Sequence, residues 1–70
     1  MTQNERILAY LRDNGSITPL EAMERFGIMR LGARIYDLRK QGLTIKKETE
    51  KGRNRFGEQT QFARYRLEEN

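Results

Sequence analysis

The first 21 residues contain the same helix-start pattern twice, and this pattern restricts the chain to short helices joined by short connections. Thr2 is followed three positions later by Glu5, and Thr18 is followed three positions later by Glu21. In such a capping box each side chain hydrogen-bonds a backbone N–H that the first helical turn leaves unpaired. Pro19 adds a further signal, because proline is favoured at the first helical position. The second start is therefore the most secure boundary in the sequence.

Three segments carry apolar side chains at helical spacing, and each is closely followed by a glycine that can adopt the left-handed conformation of a helix end. The predicted helices cover residues 3–14, 19–26 and 30–41. In the second helix, the inward face is predicted to consist of Leu20, Met23 and Phe26. Residues 16–17 are predicted to be only a brief extended bridge.

The third helix has the clearest division into two faces. Leu31, Ile35 and Leu38 repeat at i, i+4 and i+7 and are predicted to be core. The opposite face is small at Ala33 and rich in hydrogen-bonding groups; it carries Met29, Ala33, Tyr36, Asp37 and Lys40, with Arg30, Arg34 and Arg39 on its flanks. We therefore expect this surface to stay free for a partner.

After residue 42 the apolar period changes from that of a helix to that of a strand. Strands are predicted over residues 43–49 and 61–67, and they are expected to pair as an antiparallel hairpin. The intervening loop carries Lys51, Arg53 and Arg55 and is predicted to be exposed and mobile. Residues 68–70 are predicted to be a frayed acidic tail. The fold class is thus mostly α with a small β-hairpin.

The residue inventory excludes most enzyme chemistry. The 70 residues include no cysteine and no histidine, so disulfides, thiolate zinc sites and imidazole-based catalysis are excluded. We expect a single domain over residues 1–70 that is not an enzyme and that uses no metal and no cofactor. The amino-terminal residues carry charges throughout, which fits neither a signal peptide nor a membrane span and predicts a cytoplasmic protein.

Positive charge is concentrated in the second half of the chain. Residues 1–29 hold three arginines against four acids, whereas residues 30–66 hold eleven basic side chains against four acids. Ten of the 14 basic residues are arginine, whose planar guanidinium suits phosphates and guanine edges. Such an asymmetry is typical of a surface that binds a polyanion.

The order of these elements resembles a known family. The segment ITPLEAMERFGIMRLGARIYDLRKQGLTIKKE, followed by a strand FARYRL, is similar to small winged helix-turn-helix proteins that are common in bacteriophages and prophages. The resemblance implies a three-helix domain with an antiparallel wing that binds double-stranded DNA. It further implies a small phage or prophage transcriptional regulator, or an accessory factor for excision or recombination.

In a domain of this type the second helix of the motif, here residues 30–41, enters the major groove. We expect Arg30 and Arg34 to contact bases or phosphates and the hairpin to contact a neighbouring groove. The complete set of expected DNA-contacting residues is Arg30, Arg34, Tyr36, Asp37, Lys40, Lys51, Arg53 and Arg55. Two alternatives stay open, since Arg34 can instead pair with Asp37 or Glu24, and the hairpin arginines can simply keep a loop soluble.

Two other classes of function compete with DNA binding. A protein–protein interaction module would use the outer face of the third helix, or Phe56 at the hairpin tip, to dock on an acidic partner. RNA binding is disfavoured, because the sheet offers few aromatic side chains on which bases could stack. A monomer of this size contacts only a few base pairs, so a homodimer or cooperative binding along DNA is expected to supply specificity.

Overall fold

The computed structural model describes residues 1–68, which form three helices and three strands. In chain order the elements are α1 (Gln3–Asn14), β1 (Ser16–Ile17), α2 (Pro19–Phe26), α3 (Leu31–Lys40), β2 (Thr44–Arg53) and β3 (Gln59–Glu68). The predicted fold class, three helices with an antiparallel hairpin, is confirmed. The tail expected at residues 68–70 lies outside the described residues except for Glu68, which ends β3.

Local hydrogen bonds define the starts and ends of the first two helices. Both capping boxes are present: the Glu5 N–H donates to Thr2 Oγ1 at 3.1 Å, and the Glu21 N–H donates to Thr18 Oγ1 at 3.2 Å. The Thr2 N–H donates in return to Glu5 Oε1 at 2.8 Å, which lowers the pKa of the Glu5 carboxyl. Gly15 ends α1 in the left-handed conformation that other residues rarely adopt.

The core lies between the helices and one end of the sheet. Leu31, Ile35 and Leu38 are buried, as the spacing of the third helix predicts. Nine buried apolar residues form one cluster: Ile7, Leu11, Ile17, Ala22, Ile28, Leu31, Ile35, Leu38 and Ile45. Every helix and the first two strands therefore contribute to a single small core, which fixes α3 from its inner side.

The predicted inward face of α2 is wrong at two of its three residues. Leu20 and Met23 are 65% and 40% exposed, whereas Ala22 is fully buried. Phe26 is half-buried and meets the ring of Tyr10 edge-on, with the centroids 5.7 Å apart. This eight-residue helix has apolar side chains on two sides, and the side bearing the small Ala22 packs closest to the core. Helical spacing cannot identify the buried side in such a helix.

The sheet is larger than predicted. Its strand order is β1-β3-β2, and β2 pairs with β3 along its whole length, from Thr44↔Glu68 to Arg53↔Gln59. The segment expected to be a bridge is a true edge strand, since Ser16 and Ile17 pair with residues 66 and 65 of β3. The predicted mobile loop is mostly strand. Only residues 54–58 connect β2 to β3.

Hydrogen bonds also order the hairpin tip. The side chain of Asn54 accepts from the N–H groups of Phe56 and Glu58 at 2.9 and 3.1 Å, as in an Asx turn. Arg53 Nη1 donates to the Gly57 carbonyl at 2.8 Å, and Gly57 has a positive φ of 77°. The tip is thus a defined turn rather than the mobile loop expected from its composition. Among residues 1–68 no helix is long and apolar enough to cross a membrane.

Candidate nucleic-acid interface

Both flanks of α3 are bound to other elements. On one flank Asn4 Nδ2 of α1 donates to Asp37 Oδ2 at 3.4 Å. On the other flank Arg39 donates twice to the Ile45 carbonyl of β2, from Nε at 3.0 Å and from Nη2 at 2.7 Å. With its inner stripe in the core, α3 keeps only its outer face free. The predicted range of 30–41 includes the two residues that cap this helix, Arg30 and Gln41.

The outer face of α3 combines small and hydrogen-bonding side chains. Gly32 and Ala33 occupy its first turn, and Tyr36 and Lys40 follow towards its end. Tyr36 is 60% exposed, and Lys40 Nζ lies 5.2 Å from the centroid of its ring, within the range of a cation–π contact. The small residues permit a close approach of the helix backbone to a ligand, while Tyr36 and Lys40 can donate hydrogen bonds.

Two of the expected contact residues pair with each other. Arg34 Nη2 lies 3.2 Å from Asp37 Oδ2, and Arg34 Nη1 also donates to Gln3 Oε1 of α1 at 3.3 Å. Their side chains are 31% and 37% exposed. The ion-pair alternative therefore describes the arrangement in the structure. Both residues lie on the α1 side of the outer face rather than at its centre.

Arg30 immediately precedes α3 and is exposed. Unlike α1 and α2, α3 has no side-chain hydrogen bond at its start and no acidic residue in its first turn. The first-turn N–H groups of a helix attract anions, and here an arginine stands beside them. The start of α3 is thus the positive end of the outer face.

The two faces of the hairpin differ sharply in charge. One face, here named the paired face, carries acidic and basic side chains that neutralise each other. Glu48 accepts from Arg66 Nε at 2.7 Å, and Lys46 Nζ lies 3.1 Å from Glu68 Oε1. Arg64 pairs with Glu50, and their hydrogen bond raises the pKa of the Arg64 guanidinium. This face therefore adds little net charge to the hairpin.

The opposite face, here named the cationic face, carries no carboxylate. The register places ten residues on it: Ile45, Lys47, Thr49, Lys51 and Arg53 of β2, with Gln59, Gln61, Ala63, Tyr65 and Leu67 of β3. The cationic face is also the one directed towards α3, since Tyr65 Oη lies 4.0 Å from the position a Cβ would take on Gly32. The lysines of the cationic face thus lie on the same side of the sheet as α3.

The structure places the expected hairpin residues in different positions. Lys51 is exposed on the cationic face, Arg55 is exposed in the turn, and Arg53 is engaged with the turn carbonyl of Gly57. Lys47 was not among the expected contacts, because the strand predicted over residues 43–49 stops short of Lys51 and Arg53, with which Lys47 shares a face. The alternation of Lys47, Lys51 and Arg53 at even spacing is the signal that a longer strand would have revealed.

Comparison with known proteins agrees with this geometry. A family model described as a winged helix-turn-helix domain matches residues 2–70, nearly the whole chain. No curated protein and no solved structure matches the chain significantly. The matched model identifies the type of domain and does not specify a phage or prophage source.

Proposed function

The chain belongs to the winged helix-turn-helix family, and from this premise we propose that it binds double-stranded DNA sequence-specifically. Domains with this motif place its second helix in the major groove. Here that helix is α3, whose outer face is the free one and whose flanks are fixed by α1 and β2. A helix fixed on three sides has a defined orientation, which base recognition requires.

We assign base contact to the start and middle of α3. Arg30 is exposed at the start of the helix and can donate two hydrogen bonds to a guanine edge. Tyr36 can contact a phosphate or a thymine methyl group, and Lys40 can contact a phosphate. Arg34 and Asp37 are assigned a different role, because their mutual ion pair and their contacts with α1 orient α3.

The observation that carries the proposal is the separation of charge on the hairpin. Lys47 and Lys51 have no carboxylate on their face of the sheet, whereas the acids of β2 are neutralised on the other face. Beside an α3 lodged in the major groove, the cationic face lies along the phosphate backbone next to that groove. Arg55 extends this surface at the tip, and Arg53 stabilises the turn that presents it.

The test compares lysines on the two faces of β2. Duplexes selected from a random library are titrated with the protein by fluorescence anisotropy between about 50 and 200 mM salt. Lys47→Ala and Lys51→Ala should each weaken binding to all duplexes alike and reduce the salt slope by about 1. The matched control is Lys46→Ala, which removes a lysine of the paired face and should change neither quantity. Absence of duplex binding at low salt, or equal losses for all three variants, would refute the proposal.

The biological role proposed for this binding is non-catalytic. A small DNA-binding domain acts by occupying or bending a site and by competing with or recruiting larger proteins, as a phage or prophage transcriptional regulator or as an excision or recombination accessory factor. Specificity beyond a few base pairs requires a homodimer or cooperative binding along DNA. Sedimentation with and without a selected duplex distinguishes these modes, since a homodimer forms without DNA and cooperative assembly does not.

A further inference from the structure

One edge of β3 has no partner strand over half of its length. β1 covers β3 only at residues 65 and 66, and the chain then leaves the sheet at Thr18 to begin α2. The Leu67 N–H donates to the Gly15 carbonyl at 3.1 Å, which shows that the backbone of Leu67 faces the β1 edge. Backbone groups alternate in direction along a strand, so those of Ala63 and Gln61 face the same edge. No strand of residues 1–68 pairs with them there.

An apolar groove begins where β1 ends. Its cavity of about 670 Å³ is within the size range of ligand pockets and is lined by Thr18, Pro19, Leu20, Glu21, Met23, Ile28, Met29, Phe62 and Arg64. Three of its apolar residues are prominently exposed: Met29 is 80% exposed, Leu20 65% and Met23 40%. The residues assigned above to DNA contact do not line this groove. The groove is therefore a surface separate from the DNA-binding one.

From these two observations we propose that the groove binds an extended segment of a partner protein, which joins the sheet as a further strand beside β3. Backbone groups at a free edge supply the hydrogen bonds for strand addition, and an adjacent apolar groove selects side chains at alternate positions of the added strand. The partner segment is thus an extended peptide with apolar side chains at every second residue.

The two outer edges of the sheet differ in the way this proposal requires. The free edge of β2 carries Lys46, Lys47 and Lys51, and lysines on an edge strand oppose the addition of another strand. The free part of the β3 edge carries neutral side chains at Ala63 and Gln61. Arg64, which borders the groove, is neutralised by Glu50 and Glu21. Apolar contact and backbone hydrogen bonds, rather than charge, therefore select the segment.

A second copy of this chain does not supply such a segment from residues 1–68. The outer edge of β2 is unpaired, but after Ile45 this strand consists of polar and charged residues and glycine. In residues 59–64 of β3, which β1 does not cover, the one large apolar side chain is Phe62. The occupant in this proposal is a segment of a different protein. Since the groove leaves the outer face of α3 and the cationic face free, the domain can hold DNA and this partner together.

The experiment uses peptides as probes with the full chain. A set of fluorescein-labelled peptides alternating valine, leucine or phenylalanine with threonine is titrated with the protein and followed by anisotropy. Matched peptides with alternate backbone nitrogens methylated keep the side chains but cannot donate along one edge. We expect saturable binding of at least one unmodified peptide and a loss of at least about tenfold for its methylated form. No saturable binding, or equal binding of both forms, overturns the proposal.

Variants of the protein give an independent check. Gln61→Pro removes an N–H that faces the free edge and leaves the β2–β3 hydrogen bonds in place. The hairpin should therefore persist while peptide binding is lost. Gln61→Ala, which keeps the N–H, should bind the peptide like the unchanged protein. Leu20→Gln, which changes an exposed groove residue away from α3, should lose the peptide and still bind duplex DNA. Unchanged peptide binding by Gln61→Pro would show that the peptide does not pair with the β3 edge. If the protein forms a dimer that Gln61→Pro abolishes, the occupant is a second copy of this chain.

Discussion

Three arginines of the α3 region have two kinds of role, and the surroundings of each decide which. Arg39 donates twice to the Ile45 carbonyl and attaches α3 to the hairpin. Arg34 pairs with Asp37 and attaches α3 to α1. Arg30 has no such contact and is exposed at the start of the helix. The same side chain therefore serves as a structural contact twice and as a candidate for base recognition once.

Arg30→Ala and Arg39→Ala should accordingly affect different properties of the protein, DNA discrimination for the first and stability for the second. Arg39→Ala should lower the free energy of unfolding by about 1 kcal/mol, because two hydrogen bonds to one carbonyl are lost. Arg30→Ala should leave stability within about 0.5 kcal/mol but reduce discrimination between selected and scrambled duplexes by about 1–3 kcal/mol. Urea unfolding and duplex titration measure the two quantities. Equal losses of stability in the two variants, or equal losses of duplex discrimination, would contradict these assignments.

Glu5 makes the stability of α1 dependent on pH. Its pKa is lowered in the folded protein, chiefly by the hydrogen bond from the Thr2 N–H. The stabilisation is therefore fully present above the pKa of Glu5 in the unfolded chain and is lost as the pH falls through the lower, folded value. Glu5→Gln removes this titration, so the difference in Tm between the two proteins should change in the acidic range and stay constant near neutral pH. Parallel melting temperatures from pH 7 down to pH 3 would argue against this role.

At the scale of elements, what the sequence predicts depends on whether the cause is local. The starts of α1 and α2 were predictable, since each capping box joins residues three positions apart. The buried side of α2 was not, because Leu20 and Met23 have the same spacing as core residues and only the remaining elements determine which side is covered. The length of the hairpin was missed for a related reason: its charged residues become regular only when both strands are aligned.

The orientation of α2 can be tested with two substitutions. Ala22→Leu should lower the free energy of unfolding by about 1–3 kcal/mol, because Ala22 is fully buried and its surroundings must move to accept a larger side chain. Leu20→Gln should change it by less than about 0.5 kcal/mol, since Leu20 is mostly exposed. Urea titrations of both variants provide the comparison. A large loss of unfolding free energy for Leu20→Gln would show that Leu20 packs inward, as helical spacing predicts.

At the scale of the whole molecule, the structure shows on which side of the sheet the excess positive charge lies. The sequence shows that positive charge is concentrated in residues 30–66, yet it does not show on which side of the sheet each charge lies. The β2–β3 register assigns the ion pairs to the paired face and Lys47 and Lys51 to the cationic face. A modest net charge of +4 can therefore present a strongly positive surface to one partner.

This arrangement predicts the salt dependence of DNA binding. In the proposed binding mode about five cations lie against the duplex, with Arg30 at a base edge and Lys40, Lys47, Lys51 and Arg55 at phosphates. The affinity for duplex DNA should consequently fall with a log–log salt slope of roughly −4 to −5. Anisotropy titrations over a range of salt concentrations give the slope directly. A slope near zero would mean that these side chains do not lie against the backbone.

The pairing of β1 with β3 also determines when the protein can first function during its synthesis. Ser16 pairs with Arg66, so the sheet joins residues 50 positions apart. On the ribosome all three helices emerge before β3, and helices of 8–12 residues are marginal without tertiary contacts. A nascent chain that has not yet released β3 lacks Tyr65 and Leu67, which pack against the core, and has no wing. Translation that stops early should therefore yield fragments that protease removes, rather than partial binders that occupy the target site.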